Sequence, residues 1–278
     1  MKIIVESGAT KTDWCAVLAD GSLAWARTAG INVAVMSEDA IAALVDEAAA
    51  ALPDEKAEGI YFYAAGLLTT PEALDRQLCR IWPDGEKEYA SDLLAAARAV
   101  CGKNPGIAAI MGTGSNSCLY DGEKVVRNIH SCGFILGDQG SGAVLGKMFM
   151  SDFLQERVPK DLAAEFAAAY DVDYLTVVKN VYRSDAPSKY LGQFAPWITS
   201  HYDSSEYVRN LVEENCRSFI KGCLLRYVED GNSDLPVGIV GGFAYAYKDL
   251  VIKVAKEEGL RIDKFYNTAI DGLIEYHR

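Results

Sequence analysis

The chain has 278 residues, of which 50% are hydrophobic and 24% are charged, a composition typical of folded globular proteins. Its 39 Asp and Glu against 27 Lys and Arg give a formal net charge of -12 at pH 7, so its average field repels nucleic acids and anionic lipids. The apolar stretches are too short to span a bilayer, and Glu6 follows the first residues too soon for a signal peptide. We therefore expect a cytoplasmic protein with neither a nucleic-acid nor a membrane partner.

The seven cysteines and three histidines show no metal-binding or disulfide pattern. The cysteines are odd in number, scattered and without a Cys-x-x-Cys pair, which predicts reduced thiols in core positions. His130, His201 and His277 lie far apart in the sequence and have no Ser or Cys partner pattern. These observations argue against a structural zinc site, a metal hydrolase and a catalytic triad.

The first thirty residues predict three strands and a loop of small residues. A strand over 2–6 leads into Ser7-Gly8-Ala9-Thr10-Lys11-Thr12, and strands over 13–19 and 22–29 flank Asp20-Gly21. Asp-Gly between two apolar runs is a strong hairpin pattern. The same order returns from residue 106 onward, with Gly112-Thr113-Gly114-Ser115-Asn116 as the loop. We interpret this as an ancient duplication.

Strands and helices alternate between the two copies, which implies parallel crossovers. The predicted elements there are a helix capped by Ser37 to about 52, a strand over 59–64, a helix over 71–82, a strand over 86–90 and a helix over 91–101. The later part is mainly helical, with predicted helices over 141–156, 159–170, 174–182, 188–201, 206–228 and 245–258, a strand over 237–240 and a closing helix ending at 277. We place one domain at 1–104 and a second at 105–278. Two such domains with facing Gly/Thr loops predict a small-molecule cleft between them.

The first loop differs from a Walker phosphate loop, because a strand rather than a helix follows it. Its small residues still allow backbone N–H groups to approach phosphate oxygens, and Lys11 adds positive charge. Glu6, at the end of the strand, is placed to hold a hydrated Mg²⁺. A plain tight turn explains the same residues equally well.

Three other motifs each allow a structural and a ligand-binding interpretation. Gly112 to Asn116 favours a phosphate or sugar contact, because so many glycines and polar groups are unnecessary for a turn. Gly137-Asp138-Gln139-Gly140-Ser141-Gly142 is either a Ser helix cap or a polar ligand site, and we favour the ligand. Gly241-Gly242 by itself indicates close helix packing. Asp92 opens a helix after Ser91, which by itself indicates helix capping.

These motifs, in this order, resemble the BadF/BadG/BcrA/BcrD ATPase family, and within it the N-acetylglucosamine kinase-like members. The resemblance runs from about Lys2 to His277 and implies an α/β fold of two ribonuclease-H-like, actin-like ATPase domains that close over ATP. It also implies an ATP- and Mg²⁺-dependent transfer of phosphate to a hydroxyl of an amino sugar, N-acetylglucosamine or a close relative. Family members are often dimers, so a homodimer is expected.

The resemblance also implies a role for each motif. The first phosphate motif contains Ser7, Gly8, Ala9, Thr10 and Lys11, with Glu6 as the Mg²⁺ residue. The second contains Gly112, Thr113 and Gly114, and the adenosine motif contains Gly241 and Gly242. Asp92 is the expected general base, which takes the proton of the sugar hydroxyl as it attacks the γ-phosphate. The expected sugar contacts are Asn32, Asp92, Ser115, Asn116, Cys132, Gly133, Asp138 and Gln139.

The chain departs from the family pattern at several positions. Ser7 and Ala9 replace glycines, Gln139 replaces the usual Glu, and Val33 to Val35 replace polar and aromatic residues. Two alternatives stay open. One is an ATP-driven activator that passes electrons through an iron-sulfur cluster to an acyl-CoA reductase or dehydratase, although the Gly-rich cysteine surroundings of such activators are not found here. The other is a non-catalytic sugar or nucleotide sensor, which would not need Asp92.

Overall fold

The computed structural model describes residues 1–8, 11–33, 35–67 and 69–278. By their contacts these residues form two compact units. Unit 1 comprises Met1–Gly106, Tyr120–Val126 and Thr268–Arg278, and unit 2 comprises Ile107–Leu119 and Arg127–Asn267. Unit 1 thus ends its first segment close to the boundary predicted after Asn104, but it also includes a short later segment and the chain's last residues. A single boundary does not describe this arrangement.

Unit 1 is built on a mixed five-stranded sheet. Its strands are β1 (Lys2–Ser7), β2 (Lys11–Val17), β3 (Leu23–Ala29), β4 (Gly59–Ala64) and β5 (Glu86–Ser91). The strand order is β3-β2-β1-β4-β5, in which β1 to β3 pair antiparallel while β4 and β5 run parallel to β1. Its helices are α1 (Glu38–Ala51), α2 (Glu72–Ile81), α3 (Asp92–Cys101) and α14 (Ile270–His277). This is the ribonuclease-H-like topology that the resemblance implies.

Unit 2 contains the second sheet, which repeats that order. Its strands are β6 (Gly106–Met111), β7 (Ser115–Tyr120), β8 (Val125–Ile129), β9 (Val237–Val240) and β10 (Lys264–Tyr266). Its order is β10-β9-β6-β7-β8. Taken from the other edge, as β8-β7-β6-β9-β10, it corresponds strand for strand to β3-β2-β1-β4-β5 in the first sheet. The strand β10 was not predicted, because three partly buried residues are too few to show an alternating pattern.

Helices fill the rest of unit 2. They are α4 (Gly133–Leu136), α5 (Gly142–Leu154), α6 (Lys160–Ala169), α7 (Tyr174–Tyr182), α8 (Pro187–Gly192), α9 (Ala195–Ser200), α10 (Glu206–Phe219), α11 (Leu225–Tyr227), α12 (Gly242–Ala246) and α13 (Lys248–Glu257). The single helix predicted over 188–201 was wrong, since the chain breaks between α8 and α9, where Pro196 occupies the first turn of α9. The helix predicted over 206–228 includes a π-helical segment at Ile220–Leu224. Within the described part of the chain, every helix is too short or too polar to span a membrane.

The last helix, α14, packs into unit 1 through a buried polar network. The Arg98 guanidinium donates to the Tyr63 hydroxyl at 2.7 Å and to Glu88 at 2.5 Å. Because Arg98 uses the Tyr63 oxygen as an acceptor, the Tyr63 proton is directed to Nε2 of His277, 2.7 Å away. Burial, with the charges of Arg98 and two lysines, lowers the pKa of His277 to about 3. His277 is therefore neutral in the folded protein and fixes the end of α14.

Gly272 brings α14 close to α3. A Cβ atom at Gly272 would lie 2.5 Å from the Ala99 carbonyl oxygen. We predict that Gly272→Ala lowers the free energy of unfolding by about 1–3 kcal/mol, because the backbone on both sides must move. Urea unfolding measures this. The control is Gly222→Ala, at a helical position with nothing within 4 Å of the added Cβ, which should leave stability unchanged or raise it. Equal effects of the two substitutions would contradict the close packing.

The contacts of His277 and His201 predict opposite pH effects. The unfolded chain binds a proton at His277 near pH 6.5, whereas the folded chain does so only near pH 3, so this group removes stability as the pH falls between those values. Burial lowers the pKa of His201, but its bonds to the Trp197 carbonyl and Glu165 outweigh this and raise it, so acidification there adds stability. Thermal unfolding between pH 7.5 and 4.5 should therefore depend less on pH in His277→Asn and more in His201→Asn. The same slope in both variants would contradict the network.

Candidate active site

The carboxyl edge of the unit 1 sheet carries the first group of predicted site residues. Parallel pairing places Ser7, Ala64 and Ser91 in one register at the ends of β1, β4 and β5. Gly8 and Asp92 follow two of these strand ends, so both lie at this edge, about two strand spacings or 10 Å apart. The carboxyl edge of parallel strands is where ligands bind in α/β folds.

Ser7 uses its hydroxyl inside the protein. The side chain is 4% exposed. Its Oγ atom lies 2.8 Å from Thr12 Oγ1 and accepts the Ile31 N–H at 3.0 Å. Gly8 is exposed, and its N–H donates to the Lys11 carbonyl, which closes the loop. Ser7 thus supports the end of β1, and the Gly8 N–H is engaged by the Lys11 carbonyl. The predicted ATP-binding residues Ala9 and Thr10 lie outside the described residues.

Glu6 contacts the start of α14. Its Oε2 accepts the Ile270 N–H at 2.9 Å. Burial raises the pKa of Glu6, and the backbone N–H groups of Ala269 and Ile270 counteract part of this. Asp13, its partner in register on β2, is bound by Lys11 at 2.6 Å and Arg27 at 2.5 Å. A carboxylate has about four acceptor positions, so Glu6 can still hold a hydrated Mg²⁺.

Asp92 is not the cap of its helix. Ser91 is the N-cap of α3, and its Oγ accepts the Leu94 N–H at 3.2 Å. Asp92 is the first residue of the helix and half-buried, and burial raises the pKa of its carboxyl. Ser91 therefore fills the capping position, while the Asp92 carboxylate accepts from backbone N–H groups at the same helix start.

In unit 2, Asp138 contacts the second Gly/Thr loop. Its Oδ1 accepts the Ser115 N–H at 3.4 Å, and Ser115 Oγ donates to the Gln139 carbonyl at 2.8 Å. A Cβ on Gly114 would lie 3.2 Å from Oδ2 of Asp138, so the glycine makes room for this carboxylate. Burial raises the pKa of Asp138, and the hydrogen bond from the Ser115 N–H lowers it by a smaller amount. The two predicted motifs of unit 2 therefore form one cluster.

The start of α5 is bound to the same loop. The N–H groups of Gly142 and Ala143 donate to the carbonyls of Gly112 and Thr113 at 2.9 and 3.1 Å. Ser141 caps the helix by accepting the Val144 N–H at 3.1 Å. The Ser-cap alternative is thus confirmed for Ser141, while Asp138 and Gln139 remain the candidates for a ligand.

Gly241 and Gly242 meet the second loop at one small cavity. Gly241 has φ 131°, and a Cβ there would clash with the Met111 carbonyl, so only glycine fits. Beside it is a cavity of about 300 Å³. Its lining includes Gly112, Thr113, Gly242, Phe243 and Tyr247. Three predicted ATP-binding residues from two distant parts of the sequence thus share one cavity.

The predicted sugar contacts of unit 2 fall into different places. Asn116 accepts from Asn128 Nδ2 at 2.8 Å and from the Ser117 N–H, so its side chain is engaged within the sheet. Cys132 and Gln139 line a second cavity of about 510 Å³ with His130 and Arg217. Gly133 begins α4 with φ 69°. In unit 1, Asn32 is exposed after β3. In unit 2 the structure thus brings Ser115 together with Asp138 and Gln139, and Gln139 shares a cavity with Cys132.

The chain is 36% identical to a candidate N-acetylglucosamine kinase from Porphyromonas gingivalis. The match covers 100% of this chain and 98% of that chain, with a TM-score of 0.91. This chain belongs to the N-acetylglucosamine kinase-like group of the BadF/BadG/BcrA/BcrD ATPase family. The resemblance inferred from the motifs is confirmed. No protein-family model and no curated protein matches the chain.

Two more distant structures share the fold of this N-acetylglucosamine kinase-like chain. A candidate N-acetylglucosamine kinase from Chromobacterium violaceum is 18% identical with a TM-score of 0.78, and the match covers 100% of this chain and 99% of that one. A ROK family protein from Streptococcus pneumoniae, in complex with sucrose, is 13% identical with a TM-score of 0.55, covering 99% and 97%. At these identities they support the two-domain α/β fold, which was correctly predicted.

Cysteine placement differs in part from the prediction for this kinase-like chain. All seven cysteines lie among the described residues and are reduced, and Cys15, Cys101, Cys118 and Cys216 are buried as expected. Cys79 and Cys223 are half-buried, and Cys132 is exposed. Cys132 has φ 61°, which directs the chain sharply into α4 and keeps the side chain at the surface. Within the described ranges, no three His, Cys, Asp or Glu side chains are grouped to hold a metal.

Asn215 is a site-supporting residue that the sequence analysis missed. It is 1% exposed on α10, and its Oδ1 accepts the Gly140 N–H at 2.9 Å while its Nδ2 donates to the Ser141 carbonyl at 3.1 Å. Asn215 therefore binds the backbone of Gly140 and of Ser141, the two residues that follow Gln139. Asn215 lies among apolar positions of α10, and no sequence pattern identifies the loop that it binds.

We predict that Asn215→Leu lowers the free energy of unfolding by about 1–3 kcal/mol, because the buried Gly140 N–H loses its partner. The Ser141 carbonyl keeps its bond from the Leu145 N–H. Urea unfolding measures the loss. Asn180→Leu is the control, since Asn180 is half-buried and donates to the Thr176 carbonyl within its own helix. A loss in Asn215→Leu no larger than in the control would contradict this role.

Proposed function

We propose that the chain transfers the γ-phosphoryl group of ATP to a hydroxyl of an amino sugar, N-acetylglucosamine or a close relative. The observation that carries this proposal is the cavity where Gly112, Thr113 and Gly242 meet. Gly242 is exposed there, and a glycine suits a phosphorylated ligand because backbone N–H groups can approach its oxygens closely. The name of the Porphyromonas gingivalis relative, a candidate N-acetylglucosamine kinase, supports the choice of sugar.

Asp92 is the proposed general base. A sugar hydroxyl becomes a strong nucleophile only as it loses its proton, and a carboxylate within hydrogen-bond reach can accept that proton. Asp92 is half-buried and Ser91 fills the capping position, and the bonds that the Asp92 carboxylate accepts from backbone N–H groups leave acceptor positions for a hydroxyl. Burial raises the pKa of Asp92, which makes it a better proton acceptor than an exposed Asp.

Glu6 is the proposed Mg²⁺ residue, acting through water. Carboxylate oxygens suit this hard cation, and the bonds from the start of α14 fix the direction of the Glu6 side chain. When bound, Mg²⁺ neutralises charge on the phosphate oxygens. Gly8 is exposed and has no side chain, so it would let the same phosphates approach closely, while Ser7 supports the end of β1.

A coupled ATP-consumption assay across amino sugars, neutral hexoses and anhydro-sugars tests the function. Sugar-dependent ADP production with N-acetylglucosamine or a related amino sugar is the expected result. ATP hydrolysis that no sugar stimulates, together with a brown, iron-containing preparation, would favour the iron-sulfur activator. Sugar and nucleotide binding without any turnover would favour the sensor.

Asp92→Asn separates a catalytic from a structural role. We expect turnover to fall by roughly a hundredfold or more, because general-base catalysis contributes about 10²–10⁴. Sugar and ATP binding should stay within severalfold. The melting temperature should stay equal or rise, because burial disfavours the charged carboxylate that the substitution removes. Single-turnover kinetics and thermal unfolding measure the two effects.

Glu72→Gln is the matched control for Asp92→Asn. Glu72 is the first residue of α2, as Asp92 is of α3, so both lose a negative charge at a helix start. Glu72→Gln should leave turnover unchanged. An unchanged rate of phosphoryl transfer in Asp92→Asn would show that the base lies elsewhere.

A further inference from the structure

The segment from Ser131 to Asp138, which we call the α4 loop, contains three of the expected sugar contacts. They are Cys132, Gly133 and Asp138. The backbone N–H of Asp138 donates to the Ser131 carbonyl at 2.9 Å and closes the loop at its base. All four residues of α4 are at least partly exposed, and Ile135 and Leu136 are 74% and 81% exposed. A segment that buries so little apolar surface opens easily unless other bonds hold it.

The two ends of the α4 loop have a backbone conformation that side chains rarely adopt. Cys132, before α4, has φ 61°, and Asp138, after it, has φ 55°. A residue other than glycine costs energy in this left-handed region and stays there only where surrounding contacts fix it. The shape of the loop therefore depends on bonds from outside it.

Lys147, on α5, supplies such a bond. Its Nζ atom donates to the Phe134 carbonyl at 2.5 Å. In a regular helix that carbonyl would accept the Asp138 N–H, four residues later, but this N–H is bound to Ser131. A charged donor makes a hydrogen bond about twice as strong as a neutral one. The half-buried Lys147 thus replaces the missing helix bond with a stronger one.

Lys147 also acts on the charge of the α4 loop. Burial raises the pKa of Asp138, while hydrogen bonds from Ser115 and Ser131 and the positive charge of Lys147 lower it. The ammonium therefore favours the charged form of Asp138. That form of the carboxyl group accepts hydrogen bonds, as a contact to sugar hydroxyls requires.

The helix that carries Lys147 is also bound to the second Gly/Thr loop. Gly142 and Ala143, at the start of α5, donate to the carbonyls of Gly112 and Thr113. Lys147 lies four residues after Ala143, about 6 Å along the helix axis. One helix of unit 2 thus binds both the loop expected to contact phosphate and the loop expected to contact sugar.

We propose that Lys147 is a positioning residue for sugar binding, which fixes the α4 loop on α5 at a set distance from the second Gly/Thr loop. Lys147 acts through the Phe134 carbonyl and does not itself contact the sugar. Phosphoryl transfer depends on the alignment of the attacking hydroxyl with the phosphate, so a displaced α4 loop would slow it. The effect on the sugar rests on the proposed function, whereas the hold of Lys147 on the loop does not.

Hydrogen exchange in the ligand-free protein tests the hold of Lys147 on the α4 loop. Lys147→Met keeps a long side chain without donors, so the Gly137 and Asp138 amides, which close the loop, should exchange roughly tenfold faster. Lys147→Arg keeps a charged donor and should return the rate to within about threefold of the wild type. The control is Lys179→Met, at an exposed position on α7, which should leave the loop unchanged. Exchange at the wild-type rate in Lys147→Met would overturn the proposal.

Steady-state kinetics tests the effect on the sugar. In Lys147→Met the KM for N-acetylglucosamine should rise about tenfold, while the KM for ATP stays within about twofold, and Lys147→Arg should recover most of the loss. A purely structural role would lower the folded fraction and hence kcat, and would leave both KM values unchanged. Equal rises in the two KM values, or an unchanged sugar KM beside a faster-exchanging loop, would also overturn the positioning role. A wild type that phosphorylates no sugar would contradict the proposed function, and hydrogen exchange would still decide whether Lys147 holds the loop.

Discussion

The central strand of each sheet pairs antiparallel with one neighbour and parallel with the other, and the placement of the candidate site residues depends on this. In unit 1, the parallel pairing of β1 with β4, and of β4 with β5, ends at Ser7, Ala64 and Ser91. In unit 2, the parallel pairing of β6 with β9 ends at Ile110 and Val240. The loops that leave these ends must therefore lie side by side. This is why Gly8 and Asp92 share an edge and why Gly241 touches Met111.

The pairing of the strands in the two sheets is the part of the structure that could be predicted from the sequence. The hairpin turns and buried central strands have strong local patterns, and the repeated order of elements fixes the topology once the family resemblance is recognised. The break between α8 and α9 also had a local indication, since Gly192 and Pro196 are poor residues for a helix interior. The strand β10 had none, because it is only three residues long.

Other features depend on contacts between distant residues and could not be predicted. The packing of α14 on unit 1 rests on His277 meeting Tyr63 and on Gly272 meeting Ala99, which no local pattern specifies. Asn215 likewise acts on a loop about 75 residues earlier in the chain. Ser7 shows a related limit, because no local pattern indicates that its hydroxyl contacts Thr12 and accepts the Ile31 N–H.

Three predicted site carboxylates, two in unit 1 and one in unit 2, have surroundings of the same kind. Burial raises the pKa of Glu6, Asp92 and Asp138, and in each case backbone N–H groups rather than Lys or Arg supply the main compensation. Asp13 shows the contrast, because Lys11 and Arg27 bind both of its oxygens. A cation bound to a carboxylate offsets the negative charge that would otherwise attract a hydrated metal ion. Carboxylates held by backbone N–H groups keep acceptor positions open, so this environment orients the charge and leaves it available for a ligand.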